Sequence, residues 1–319
     1  MLNSKQAIQQ MNVWGAAGQP FYFIINFDAT QTQLSTSFDQ GELHFAFHQS
    51  LSHQKPQHTI ELSSSPADLV KYQQQFERVV SNINYGNSFL VNLTQKTPID
   101  CNLSLKQIYT ISKAKYKVLL EEQFVCFSPE TFIQTHKGNI YSHPMKGTIR
   151  ADIDGAAAAI LNDPKETAEH ITIVDLIRND LSMVASNITV DRFRYLDRIE
   201  TQKGALLQVS SEIRGQLKTH WQADLGNIIF KLLPAGSISG APKPQTLDII
   251  KNSENYKRGY YTGICGYFDG EELDTGVMIR FIEQENGRLY FKSGGGITAF
   301  SNLESEYQEM IDKIYVPIH

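Results

Sequence analysis

An α+β sandwich is the fold the sequence predicts, on three observations. Short apolar or alternating runs bounded by polar segments read as strands. Two amphipathic stretches carry helix-start signals, and the elements mix without the regular strand–helix alternation of a doubly wound sheet. Among the strands, Phe21-Tyr22-Phe23-Ile24-Ile25 is a continuous apolar run of the buried kind, and Leu43-His44-Phe45-Ala46-Phe47 alternates. Residues 49–65 are polar and read as a loop. Beyond Pro66, Leu69, Tyr72, Phe76, Val79 and Val80 recur at helical spacing. Residues 88–94 and 124–128 read as strands, and residues 132–141 as a hairpin turning at Lys137-Gly138-Asn139.

Two later helices are marked more strongly. Asp163-Pro164-Lys165-Glu166 offers an acid at the cap, proline in the first turn and a carboxylate three residues on, followed by a stripe of Ile173, Ile177, Leu181 and Val184. Ser301 and Glu304 repeat the capping-box spacing ahead of an apolar face of Leu303, Tyr307, Met310 and Ile314. Neither an internal repeat nor a linker rich in Pro, Gly and Ser divides the chain. A single domain over residues 1–319 is expected, in which residues 1–65 complete the sheet and residues 66–319 carry the site.

Composition excludes several classes. The 319 residues are 41% hydrophobic and 20% charged, with a formal charge of −5, which lacks the basic footprint of a nucleic-acid binder. No apolar run approaches the roughly 20 residues that cross a bilayer, and residues 1–15 lack the apolar centre of a secretory signal. A soluble, cytoplasmic protein with no membrane partner is expected. Cys101, Cys126 and Cys265 show no CxxC spacing, so neither disulfides nor a zinc cluster are indicated. Cys265 falls in a β-prone aromatic run, and we read it as a strand residue, not as the nucleophile of a glutaminase.

The chemistry concentrates in acids and glycines. Glu166 and Glu169 sit at i, i+3 and prolong the apolar stripe of their helix, so they aim inward. Carboxylates there are costly unless something cationic compensates. Glu306 and Glu309 repeat the arrangement, with Lys313 at i+4 from Glu309. Two such pairs suit one hard cation with oxygen ligands, such as Mg²⁺. The alternative is that Glu166 only caps its helix and that Glu309 and Lys313 are a surface pair. Ser293-Gly294-Gly295-Gly296 follows a strand and reads as a turn, either an anion-binding nest or a plain tight turn. Residues 234–243 lack the Gly-Lys-Ser/Thr of a phosphate loop, because Lys243 follows Pro242.

At these residues the sequence resembles the chorismate-utilising enzymes, a family that includes anthranilate, aminodeoxychorismate, isochorismate and salicylate synthases. The matching blocks are Ser128-Pro129-Glu130, Pro144-Met145-Lys146-Gly147-Thr148, Glu169-His170 with Asp175-Leu176-Ile177-Arg178-Asn179-Asp180, residues 234–243, Arg258-Gly259-Tyr260-Tyr261, and residues 293–309. They run in family order over residues 70–319. The resemblance implies large antiparallel sheets flanked by helices, with Mg²⁺ held by Glu169 and Glu309 and with Glu166 and Glu306 nearby. It also implies chorismate as substrate, placed by Gly147, Thr148, Ser239, Tyr261, Arg280, Gly294, Gly295, Gly296 and Lys313.

Two positions sort the branches of that family. Members that add water to chorismate carry a lysine base where this chain has Leu90, and leucine cannot activate water. Anthranilate synthases usually read Pro-Ile-Ala where this chain reads Pro144-Met145-Lys146, and lysine there is the mark of aminodeoxychorismate synthases. The resemblance therefore implies component I of that enzyme, fed with ammonia by a separate glutaminase subunit. Lys146 would add at C2 of chorismate while Glu130 protonates the departing C4 hydroxyl, and ammonia would then enter at C4 and expel the lysine. Only the free amine is nucleophilic, and Glu130 must favour the protonated acid. Anthranilate synthase component I and a non-catalytic chorismate-binding subunit are the alternatives. One departure is Gln208, where many members have a histidine, which removes any proton-carrying role at that position.

Overall fold

The computed structural model describes residues 1–48, 60–201 and 204–317. Among these, strands form two antiparallel nine-stranded sheets. One runs from Met145–Arg150 through Gly204–Gln216, Asn139–Ser142, Thr131–His136, Leu273–Val277 and Ile264–Phe268 to Phe21–Ile25 and Thr32–Ser35, and Ser186–Thr201 pairs Gly204–Gln216. The other runs from Gly240–Ala241 through Leu90–Cys101, Arg288–Ile297, Phe281–Glu285, Phe124–Ser128 and Tyr116–Leu120 to Leu43–Phe47 and Asp39–Gln40. The N-terminal strands thus join both sheets.

Packing explains the architecture. Phe21, Phe23, Ile24 and Ile25 are all fully buried. Successive side chains of a strand point to opposite faces, so this run is covered on both. Ile24 and Cys265 of one sheet meet Phe45, Tyr116, Val118, Phe124 and Phe281 of the other, which makes the sandwich. A larger core gathers Phe23, Ile133 and Ile213 from the first sheet and Leu90, Val91 and Ile297 from the second. Over both it packs Tyr72, Phe76 and Val79 of the helix Leu69–Asn84 and Ile173 and Ile177 of the helix Pro164–Ser182. Each such side chain contributes about 1.5–3 kcal/mol. The helix Leu105–Ile111 covers the outer face of the second sheet through Leu105 and Ile108. Among the described residues no helix is long and apolar enough to cross a membrane.

Several local expectations change. Of the expected loop, residues 49–59 lie outside the described residues, and Leu62–Ser64 is a short strand on the edge of Leu90–Cys101. The strand expected at 88–94 runs instead from Leu90 to Cys101, because it pairs with Arg288–Ile297 along nine consecutive residues, Leu289 to Ile297. Ser293-Gly294-Gly295-Gly296 is not a turn. The three glycines continue the strand Arg288–Ile297 opposite Thr94, Leu93 and Asn92, so their backbone groups serve the ladder rather than an anion nest. The helix Leu303–Asp312 is capped by Asn302, which accepts from Ser305 N at 3.0 Å, one residue later than the Ser301 the sequence indicates. The Ser301 hydroxyl donates to Glu306 Oε1 at 2.7 Å. A helix Ser4–Ala16, begun by an Asn3/Gln6 capping box and burying Ala7, Met11 and Gly15, has no counterpart among the expected elements. The Lys137-Gly138 hairpin is as expected, with φ of +49° and +74°.

One buried cation ties the elements beneath the site together. Arg258 donates to both carboxylate oxygens of Glu254 (2.9 and 2.6 Å), to Ile238 O (2.8 Å) and to Asn92 O (2.6 Å). It thereby joins the helix Lys243–Ser253, the short helix Gly236–Ser239 and the strand Leu90–Cys101.

Candidate active site

The strand Met145–Arg150 sets the centre of the site. It pairs Met145 with Ser210 and Lys146 with Val209, then slips so that Thr148 faces Gln208. Gly147 absorbs the slip at φ +73°, a bulge conformation that glycine adopts without a Cβ clash. A methyl group there would also lie 2.6 Å from Glu166 Oε2.

Beside the bulge opens a cavity of about 570 Å³, walled by this strand, the helix Pro164–Ser182, the strand Arg288–Ile297 and the helix Leu303–Asp312. Lys146 lines it, with Nζ 3.5 Å from Glu169 Oε2. A methyl group on Gly296 would come within 2.9 Å of that Nζ and of Leu90 Cδ1, so the bare strand leaves the lysine its space. Gly294 is bare for another reason: its Cβ would meet Leu93 O at 2.3 Å.

Glu130 lines the same cavity, after the strand Phe124–Ser128 ends. Its backbone N–H donates to Ser128 Oγ at 3.1 Å, and its Oε1 accepts from Ser237 Oγ at 2.6 Å. Burial pushes its carboxyl above the ordinary carboxylate range, against the Ser237 hydrogen bond and the charges of Lys146, Arg280 and Lys313. The shift is toward the acid form, the direction a proton donor needs.

Both acid pairs face the cavity. Glu169 and Glu306 are 7% and 4% exposed, Glu166 is half-buried, and Glu309 is exposed. Glu306 Oε2 and Glu309 Oε1 converge over Gly295, whose Cβ position lies 3.3 and 3.6 Å from them. Lys313 Nζ pairs with Glu309 at 2.7 Å and donates to Gly294 O at 2.7 Å. Burial lowers its pKa, and Glu309 opposes that shift. As donors the four carboxylates are all oxygen, the class a hard cation takes, with space left for water and substrate. Among the described residues no group of three or more His, Cys, Asp or Glu side chains is placed to hold a metal ion.

Arg280 also lines the cavity, at φ +53°, with its guanidinium over the Tyr315 ring at 5.2 Å. Its Nε is buried with no hydrogen-bond partner among the described residues, a donor that an anion would satisfy. Tyr261 is buried in the same wall, where desolvation raises its pKa and keeps it a neutral donor. Gly147, Thr148 and Gly294 to Gly296 complete the lining among the residues expected from sequence.

Ser239 does not. It is fully buried, and its hydroxyl donates to Ala235 O at 2.9 Å, closing the short helix Gly236–Ser239. Ser237, two residues earlier on the same turn, is the serine that faces the cavity, and sequence reasoning missed it. Gln208 lines the cavity too. His170, next to Glu169, is buried and bonds Ser211 Oγ through Nε2 at 2.7 Å. Burial, Arg194 and Lys146 lower its pKa to about 4, so it packs as a neutral ring. Cys265 lies fully buried in the strand Ile264–Phe268, with burial pushing its thiol well up.

Fold and cavity together place buried acids, lysines and an arginine around one cavity. The chain belongs to the chorismate binding enzyme family, whose description matches residues 11–319. It is a chorismate-utilising enzyme. It is 49% identical over 317 residues to an uncharacterised PabA-like protein of Pasteurella multocida, covering 98% of each chain. It is 32% identical over 263 residues to aminodeoxychorismate synthase component 1 of Klebsiella aerogenes, covering 78% of this chain and 57% of that one. It is 31% identical over 269 residues to anthranilate synthase component 1 of Arthrobacter globiformis, covering 78% of this chain and 49% of that one. In fold it is similar to the menaquinone-specific isochorismate synthase of Escherichia coli, with a TM-score of 0.75, 17% identity, and coverage of 97% and 80%.

Proposed function

We propose that the protein is an aminodeoxychorismate synthase component 1, which aminates chorismate at C4 with ammonia from a separate glutaminase subunit. The observation that carries this reading is Lys146, an amine inside the cavity whose charge acts on the buried acid Glu130. The nearly equal identities to the two synthases leave the branch undecided. Lys146 supports the aminodeoxychorismate branch, because a side chain without an amine cannot form the covalent intermediate.

In the first step the Lys146 amine, as the free base, bonds to C2, both conjugated ring double bonds shift toward C4, and the C4 hydroxyl leaves as water with the proton of Glu130. In the second, ammonia bonds to C4, both double bonds return to their original positions, and the C2–Nζ bond breaks with its electron pair going back to Lys146. The proton lost by Glu130 returns from the entering nitrogen. Arg280 and Lys313 would meet the substrate's carboxylates. Glu169 and Glu309 would hold Mg²⁺, with Glu166 and Glu306 beside them, and the ion would offset the charge of the bound substrate.

The test is a product assay with chorismate, Mg²⁺ and an ammonium salt at high pH. The expected result is 4-aminobenzoate appearing only after aminodeoxychorismate lyase is added. Anthranilate fluorescence without the lyase would assign the second branch instead.

A further inference from the structure

A second, much smaller cavity lies behind Glu130. Its volume is about 20 Å³, room for a single molecule the size of water. Glu130 and Ser237 are the wall it shares with the large cavity. Phe132, Ile133, Ile177 and Leu181 make most of the remainder apolar. Its polar members have partners of their own: Ser142 Oγ donates to Phe132 O at 3.0 Å, and the Asp180 carboxylate is 2.7 Å from Lys243 Nζ. His143 also lines it, and burial lowers the pKa of that ring. Asp180, another of its lining residues, also borders a surface groove along the helix Pro164–Ser182. The chamber therefore shares lining residues with both the active-site cavity and a surface groove.

We propose that this chamber is the station from which ammonia reaches the substrate, arriving behind Glu130 and not through the mouth that chorismate fills. The inference rests on the amination reading above. In the proposed sequence the nitrogen bonds to the carbon the hydroxyl has left, and a second displacement on the same face replaces that hydroxyl with retention. The hydroxyl leaves beside the group that protonates it, so a nucleophile coming from behind Glu130 meets C4 on that face. Size and polarity agree. The space holds ammonia and excludes larger amines, and an apolar wall admits the neutral molecule far more readily than ammonium. The glutamate is then placed to take a proton from the nitrogen as its bond to C4 forms.

Two substitutions test this with ammonium chloride as the probe. Ser142→Leu fills the chamber without touching the large cavity. It is expected to raise the KM for ammonium about tenfold or more, since a methylene in a tight pocket carries that much discrimination. kcat at saturating ammonium and the KM for chorismate are expected to stay near wild type. Ile177→Val removes a methyl group from the wall and is expected to raise the rate with methylamine relative to ammonia. A folded Ser142→Leu enzyme with an unchanged ammonium KM, or an Ile177→Val enzyme that gains nothing with methylamine, would overturn the chamber assignment alone. A wild-type enzyme that aminates chorismate at no ammonium concentration would overturn the amination reading and the chamber with it.

Discussion

The helices Pro164–Ser182 and Leu303–Asp312 present the same pair of glutamates, three residues apart, to one cavity from two sides, yet they are built differently. In the first, the inner acid Glu169 is buried and its cation, Lys146, comes from a distant strand at 3.5 Å. In the second, the buried acid is Glu306, while Glu309 pairs at 2.7 Å with Lys313 one turn along its own helix. A lysine supplied by the same helix moves with its acid. A lysine supplied by a bulged strand is positioned independently, which suits a group that must bond to the substrate. The difference predicts unequal roles: Lys146 in chemistry, Lys313 in binding.

The largest effect expected is at Lys146. Lys146→Ala is expected to lower kcat by at least about 10⁴-fold, as loss of a nucleophile does, while chorismate binding stays measurable by calorimetry. Equal loss of binding and turnover would erase the distinction between the two helices. Next is Gly296→Ala, whose methyl group must displace Lys146 Nζ or Leu90 Cδ1, both ends of flexible side chains. Stability is expected to change little, while displacement of the amine by about 1 Å costs kcat roughly 10²-fold. Gly294→Ala is the control, because the atom in its way is a backbone oxygen; thermal unfolding is expected to show a loss of about 1–3 kcal/mol. Lys313→Met is expected to raise the KM for chorismate about tenfold, the loss of one charged contact, with a smaller change in kcat.

The smallest effect is a pH-dependent stability. The pKa of Glu130 is raised in the folded protein, so folding takes up a proton there. Its contribution is present below the unfolded value, about 4.3, and is lost as pH rises through the raised one. Glu130→Gln lacks that loss. Across this window the variant is expected to gain stability relative to wild type, a gain far smaller than its loss of turnover, which is expected to be about 10²–10⁴-fold. Melting curves over a pH series would show the gap open and then level off.

Both acid pairs were legible in the sequence because helical spacing places Glu169 in line with Ile173 and Ile177, and only an inward-facing acid prolongs such a stripe. Lys146 and Glu130 were legible through the resemblance, since spacing alone leaves a lysine near a hairpin with nothing to distinguish it. The glycine run was misread. Three glycines have low strand propensity by themselves, and what keeps them extended is the ladder to Leu90–Cys101, whose partners to them lie about two hundred residues away. Ser239 was chosen over Ser237 because one helical turn decides which serine faces the cavity, and a four-residue helix between prolines leaves no periodicity to read. The shift of the cap from Ser301 to Asn302 has the same origin: either residue can cap, and Glu306 claims the Ser301 hydroxyl.

Arg258 has a consequence for kinetics. A guanidinium keeps its charge at every pH at which proteins stay folded, so its grip on Ile238 O does not vary with acidity. Ile238 follows Ser237, the residue whose hydroxyl meets Glu130. The seat of the titrating carboxyl is thus fastened by a bolt that does not itself titrate. A rate profile for this protein should accordingly carry no contribution from the charge of Arg258, whose hold on the turn beneath that carboxyl stays the same.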